Sequence, residues 1–507
     1  MTSLPFVHET VVHMLAAAVA ASPDAPALVE GERALDYRKY GRSVAGFARE
    51  LVGLGARGSR VATVCGNSIE MAVAMNAIHA AGAQAVPVNP IYTGRELRHI
   101  LADAEPVCVI FDDRLSEMVE PLAEELGIAH RIAVGPDSRL LDAWKDAEPA
   151  LPEPMPAGDD LATLQYTGGT TGLPKGVNIG HAQMAINISQ REAFLPTEPS
   201  GESILCVMPL FHVFAVSMCL HLAIYCRGKL VILPRYHPDL VFDAVEAHRI
   251  TRLPAGPTVF NGLMAADRFV ATDFSSLRTA YSGSAPLPAE TLRAWRQATG
   301  CPILEGFGQS EAGPVLTYVA EGTQAPVGSV GPALPGTEIE IVDVETGTRV
   351  LPTGELGEIR ARGPQIMSGY RNRPQDTAEA LRDGWLHTGD IGELDEAGNL
   401  YIRDRKKDLV ISGGYNVYPR EVDEVLFAHP DILEAASFGV PDAYRGEVLR
   451  AVVVLRAGST ANADDIAAHC ARNLAKYKLP ARIDLVEDIA KTTVGKVDRK
   501  ALRAMAG

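Results

Sequence analysis

Short apolar runs recur through the first half of the chain, and between them the spacing of apolar residues changes. VATVCG (61–66), QAVPV (84–88), PVCVIF (106–111) and KLVIL (229–233) have the length of buried strands, whereas Glu70, Met71, Val73, Met75, Ala77 and Ile78 follow a helical pattern. Strands that are apolar on both faces need cover on both faces, and the intervening helices supply it. The alternation therefore predicts βα units with parallel strands, an α/β fold. No segment repeats with a period of 20–50 residues and no low-complexity tract occurs, so solenoids and long disordered tails are set aside.

At 507 residues and 54.1 kDa the chain exceeds one ordinary domain. Near Asp395–Gly398 a DEAG turn separates two strands, the second being NLYIR, and the charged run Asp404-Arg405-Lys406-Lys407-Asp408 then breaks the hydrophobic pattern. The domain boundary is expected there, with a large N-terminal domain of layered α/β subdomains (1–403) and a small α+β domain (404–507). A helix over 420–428, strands EAASFGV and VLRAVVVL, a helix over 464–474 and the strand ARIDLV are predicted for the small domain. From Asp404 onward 16 basic side chains meet 15 acidic ones, so the whole negative excess lies before it. A near-neutral module beside an acidic one points its cations toward an anion.

The net charge of −16 argues against nucleic acid as a partner. Seven cysteines without a CxxC pair suggest neither a disulfide framework nor a Cys-rich zinc site, and a reducing cytoplasm fits. VVHMLAAAVAA near the N-terminus has no basic residue before it, so it is predicted as an amphipathic surface helix rather than a signal peptide. The apolar run Phe211–Cys226, interrupted by His212 and His221, falls short of a bilayer span. No transmembrane segment is expected.

The most informative segment is LQYTGGTTGLPKGV (164–177). Glycines let the backbone approach a polyphosphate, N–H groups and threonine hydroxyls donate to its oxygens, and Lys175 adds positive charge. A Walker A loop is excluded, because Pro174 and Gly176 flank Lys175 where Ser or Thr would have to follow it. The bland alternative is a flexible loop between elements. The hydroxyls together with Pro-Lys-Gly favour phosphate binding.

TGGTTGLPKGV, PLFHVF (209–214), SGSAPL (282–287), GFGQSE (306–311), GELGEIRARGPQIMSGY (354–370), DGWLHTGD (383–390), DRKKDLVISGGYNVYPREVDE (404–424) and KTTVGK (491–496) occur in this order. As a set they resemble the adenylate-forming acyl-CoA synthetases, the group that includes acyl- and aryl-CoA ligases, peptide-synthetase adenylation domains and firefly luciferase. Within it the chain is most similar to bacterial fatty-acyl-CoA ligases, notably in SGGYNVYPREVDE. Gly168 stands where the family usually has Ser, Ser310 where it more often has Thr, and Val494 where it more often has Ser.

The resemblance implies a two-step reaction. A carboxylate attacks the α-phosphate of ATP to give acyl-AMP and pyrophosphate, and the thiol of coenzyme A then displaces AMP. It assigns Lys496, Thr171, Lys175 and Glu311 to catalysis, with Glu311 serving Mg²⁺. Thr167, Gly168, Gly169, Thr170, Thr171, Gly172, Lys175, Ser284, Ala285, Pro286, Glu305, Gly306, Phe307, Gly308, Gln309, Ser310, Asp390, Arg405 and Lys496 would bind the nucleotide, Asp390 through the ribose hydroxyls. Lys407 matches the hinge, and Ser412, Gly413, Gly414 and Tyr415 would line the coenzyme's pantetheine path once the small domain turns. Arg445, Lys476 and Lys478 are candidates for the coenzyme's phosphates.

His212, Val213, Phe214, Gly256, Gly283 and Gly308 are expected around the acyl group. Their apolar or small side chains favour an uncharged tail, since a buried unpaired charge is heavily penalised. Read without the resemblance, Glu311 is equally an acid beside a helix capped by Ser310, Asp390 an ordinary turn residue, the 404–408 run a solvated face and Lys496 an exposed lysine in a frayed tail. The function expected is ATP- and Mg²⁺-dependent acid–CoA ligation on a small carboxylic acid, most readily a medium- or long-chain fatty acid. The alternatives are an aryl, short branched or hydroxy acid, or a stand-alone enzyme loading a carrier protein. A homodimer is the default assembly.

Overall fold

The computed structural model describes residues 4–135, 140–167, 174–283, 285, 287–323, 325–412, 415–442, 444–492 and 496–506. Within them the apolar runs form strands as expected. Arg60–Val64 lies parallel between Gln84–Pro87 and Cys108–Asp112, and Lys229–Ile232 lies parallel between Ser203–Cys206 and Pro26–Glu30. These two groups belong to a seven-stranded and an eight-stranded sheet, respectively.

The helix Ile69–Ala80 touches strands of both large sheets, and all its residues are buried. Such a site suits a helix that is apolar nearly all round. Its polar side chains are paired: Glu70 with Arg33, Asn76 with the Tyr40 hydroxyl at 2.7 Å, and His79 with Thr163 at 3.4 Å. The N-terminal helix Val11–Ala21 has the two faces of the amphipathic surface helix expected. Val11, Val12, Met14, Leu15 and Ala18 are buried in the main core, while Ala17, Ala20 and Ala21 on the other side face solvent. The run after Phe211 is helical from Val213 to Cys226, with a π-helical stretch over Val216–His221, and it too belongs to the core. Among the described residues no helix is long and apolar enough to cross a membrane. All seven cysteines are free and buried.

A third, antiparallel sheet contains Glu338–Val342, Gly357–Arg362, Trp385–Leu394 and Leu400–Arg405. Beyond it come the helices Pro419–Phe427 and Ala463–Asn473 and the strands Ile432–Asp442, Gly446–Leu455 and Arg482–Leu485, within a residue or two of expectation. Their core includes Val410, Val422, Leu426, Ala451 and Ile466. The strand Leu400–Arg405 runs through position 404, where Asp404 Oδ2 accepts the Arg420 N–H at 2.9 Å. The first C-terminal helix is thus tied to the end of a strand of the third sheet.

Candidate active site

The antiparallel hairpin of Leu161–Thr167 and Lys175–Gly180 ends with Thr167 opposite Lys175. It presents both residues at the base of the Gly/Thr loop. Gly168, Gly169, Thr170, Thr171 and Gly172 lie outside the described residues, as do Ser284, Pro286, Gly413 and Gly414. The Lys175 ammonium is paired with Asp376 and stands 5.4 Å from the centre of the Tyr370 ring. The Tyr370 hydroxyl in turn donates to Glu311 Oε1 at 2.8 Å.

Glu311 follows the strand Ile303–Gly308 in a single 3₁₀ turn, Ser310–Ala312. Gln309, not Ser310, stands at the cap position and makes no side-chain cap bond, which removes the capped-helix reading of Glu311. The approach to this turn is crowded: a Cβ on Gly308 would lie 1.9 Å from the carbonyl oxygen of Pro314, and one on Gly306 2.4 Å from the Tyr318 ring. Glycine at both places lets the strand pass. Phe307 packs against the core, Glu305 is buried, and Ala285 sits in a bend near the end of the neighbouring strand. Burial pushes the Glu305 carboxyl up to about 7, against the opposing pull of Arg420.

Asp390 is not a turn residue. It lies inside the strand Trp385–Leu394 at 7% exposure, directly opposite Arg405, whose Nε is 3.4 Å from Asp390 Oδ1. Burial raises its carboxyl, while Arg405, Lys407 and Lys496 hold it down. Lys496 is half-buried rather than frayed. Burial first and Arg405 second lower its ammonium to about 8, offset in part by Asp390 and Glu311. Partial burial and then Arg405 also lower Lys407, against Asp408, Asp390 and Glu311. Two carboxylates and three cations from distant segments therefore share one field.

His212 caps the short helix Val213–Ala215, with Nδ1 accepting the Phe214 N–H at 3.2 Å. Burial, then Lys496, pushes the imidazole down to about 3. The ring is neutral near pH 7, and an Nδ1 that accepts leaves the proton on Nε2 as a donor. Phe214 packs on Gly283, where a Cβ would lie 2.7 Å from the ring, and Gly256 faces Met208. Next to His212, Val213 lines a narrow cavity of about 20 Å³, walled by Met75, Ile179, Met184, Ile188 and Val216, with Thr163, Gln165, Ser217 and His221 as its polar members. Phe214, Gly256, Gly283 and Gly308 are not part of that lining.

The profile of the AMP-binding enzyme family matches residues 15–371, and that of the AMP-binding enzyme C-terminal domain matches residues 421–496. The chain belongs to the AMP-binding enzyme family. This AMP-binding enzyme is 36% identical over 480 residues to a long-chain-fatty-acid–CoA ligase of Bacillus subtilis, covering 88% of this chain and 85% of that one. It is 36% identical over 489 residues to a feruloyl-CoA synthase of an Amycolatopsis species, covering 96% and 97%. The solved structure of ATP-bound MatB from Rhodopseudomonas palustris superposes with a TM-score of 0.91 at 33% identity, covering 98% of this chain and 99% of that one.

In this AMP-binding enzyme the structure brings together Glu311, Asp390, Arg405, Lys407, Lys496 and His212, and joins Lys175 to Glu311 through Tyr370. It does not join Ser412 and Tyr415 to them. Ser412 is buried in a hairpin, and Tyr415, 59% exposed, stacks on Tyr477 with ring centres 4.7 Å apart. Lys478 is paired with Glu421 at 2.6 Å. Sequence reasoning missed Tyr370 and Asp376. Tyr370 closes a quoted motif and was within reach, but nothing in RPQD marks Asp376 as the partner of a lysine 201 residues earlier.

Proposed function

We propose that the acid activated by this AMP-forming acid–CoA ligase is a medium- or long-chain fatty acid. The observation that carries the reading is the mostly apolar cavity whose lining includes Val213, the residue after His212. Unbranched Met75 and Met184 in its wall can move aside for a tail, and its lining among the described residues holds no Lys or Arg to pair a charged one. The similarity to a long-chain-fatty-acid–CoA ligase supports the same choice.

The ligase uses ATP and coenzyme A: carboxylate and ATP give acyl-AMP and pyrophosphate, then coenzyme A gives acyl-CoA and AMP. An anionic nucleophile approaches an anionic phosphate, so the first step needs positive charge and oriented donors as charge builds on the phosphoryl oxygens. In our reading Lys496 supplies that charge at the α-phosphate, and Nε2–H of His212 orients the acid's carboxylate. No general base is needed, because the acid is already ionised near pH 7. Asp390 accepts from the ribose hydroxyls, while Thr167, Thr171 and Lys175 hold the outer phosphates.

Among the described residues Glu311 keeps Oε2 free of hydrogen bonds, and no group of three or more His, Cys, Asp or Glu side chains gathers. One carboxylate with substrate phosphates is the donor set Mg²⁺ prefers over an all-protein cage. Bound there, the ion would neutralise phosphate charge. For the second step the reading has two bodies, 1–403 and 404–507, turn about Lys407 so that Ser412 and Tyr415 approach the acyl-AMP. A homodimer, the commonest assembly, and the cytoplasm, supported by seven free buried thiols, complete it.

The test is mass spectrometry of one reaction holding ATP, Mg²⁺, coenzyme A and a pool of fatty, aryl and short hydroxy acids. Alkanoyl-CoA masses as the dominant products are expected. A dominant aryl-CoA would replace the fatty acid, and acyl-AMP without thioester would replace the acceptor by a carrier protein.

A further inference from the structure

Lys175 opens the strand Lys175–Gly180, and its ammonium is already engaged by the carboxylate of Asp376. Asp376 is not a wandering surface acid. It sits in the first turn of the helix Pro374–Ala380, and the segment before that helix is bound to the same strand that carries Lys175. Gly369 and Tyr370 pair antiparallel with Asn178 and Val177, the Arg371 N–H donates to the Gly176 carbonyl at 2.8 Å, and the Tyr370 N–H donates to Thr377 Oγ1 at 2.9 Å. The lysine and its partner thus ride on one frame. Their side chains are 35% and 28% exposed, open enough for another anion to reach the ammonium.

A carboxylate and a polyphosphate drawn to one ammonium repel each other, so each weakens the other's hold. We propose that Asp376 competes with the polyphosphate of ATP for Lys175, yielding the lysine as the nucleotide binds and taking it back as pyrophosphate leaves. The inference rests on reading Lys175 as a phosphate ligand. It makes Asp376 a positioning residue that acts through Lys175, and it opposes the simpler idea that Asp376 merely aims the lysine at the phosphates. The two ideas differ in sign.

The experiment uses the full chain and compares wild type, Asp376→Asn, Asp376→Glu, Lys175→Ala and the Asp376→Asn/Lys175→Ala double variant. It reads KM for ATP, kcat and inhibition by pyrophosphate, with thermal melting to confirm folding. In Asp376→Asn, KM for ATP should fall about two- to fivefold, the range a part-exposed ion pair allows, and the inhibition constant of pyrophosphate should fall with it. Asp376→Glu should return both toward wild type, and in the double variant the asparagine should change nothing. A KM for ATP that is unchanged or raised in Asp376→Asn, while Lys175→Ala raises it, overturns the competition and leaves Lys175 as a phosphate ligand. A KM unaffected by Lys175→Ala overturns the reading of Lys175 itself.

Discussion

Asp390 and Arg405 stand directly opposite each other on neighbouring antiparallel strands, with Arg405 Nε 3.4 Å from Asp390 Oδ1. The carboxylate is buried and the guanidinium is about half exposed, so the arginine is the adjustable member of the pair. Burial alone would raise the Asp390 carboxyl further than it stands, and Arg405 is the foremost group opposing that rise. Arg405→Ala should therefore shift the acid limb of kcat/KM for ATP to higher pH, by about one unit or less given the exposure of the arginine. A pH profile of the variant between pH 4.5 and 7 would check it. An unmoved limb would mean that Asp390 does not set it.

Lys496, with its ammonium lowered to about 8, should give adenylation a basic limb. The protonated form carries the useful charge, and one unit below the pKa about nine-tenths of it is present, so acyl-AMP formation should fall as pH rises through about 8. Pyrophosphate release against pH reports this directly. Lys496→Ala should slow adenylation by about 10²–10³-fold while leaving transfer from supplied acyl-AMP to coenzyme A largely intact. Equal loss of both half-reactions would refute the assignment.

The backbone N–H of Lys407 makes no hydrogen bond among the described residues, whereas its neighbours Lys406 and Asp408 donate to Gly389 and Arg405 at 2.9 Å each. Lys407→Pro therefore removes no bond while stiffening the proposed pivot. Thioester formation should fall by more than adenylation, as measured by separate half-reactions. Unchanged rates in both would place the pivot elsewhere.

Gly308→Ala should cost about 3 kcal/mol, because a Cβ 1.9 Å from a backbone oxygen cannot be relieved by choosing another rotamer. A drop in melting temperature, together with weakened ATP binding from displacement of the turn that carries Glu311, is the expected result. A variant that melts like wild type would show that the strand can shift.

What the residues determined unaided was the local grammar and the class of chemistry. Continuous apolar runs such as QAVPV could only become covered strands, and the C-terminal helices and strands began and ended close to where their patterns change, at Pro419–Phe427 and Ala463–Asn473. The ordered motifs carried the family, and through it Lys175, Glu311, Asp390, Arg405 and Lys496. Burial and partnership were decided only by the tertiary structure. Asp390 moved from a turn into a strand, and Lys496 from a tail into the neighbourhood of Glu311 and Asp390. Asp376 found Lys175 because a short strand pairing brought them together across 201 positions. Periodicity encodes which face of an element is apolar, since that depends on neighbours a few residues away. The field at a charged atom depends on groups from the whole chain, and those meet only when the sheets and the C-terminal segment have packed.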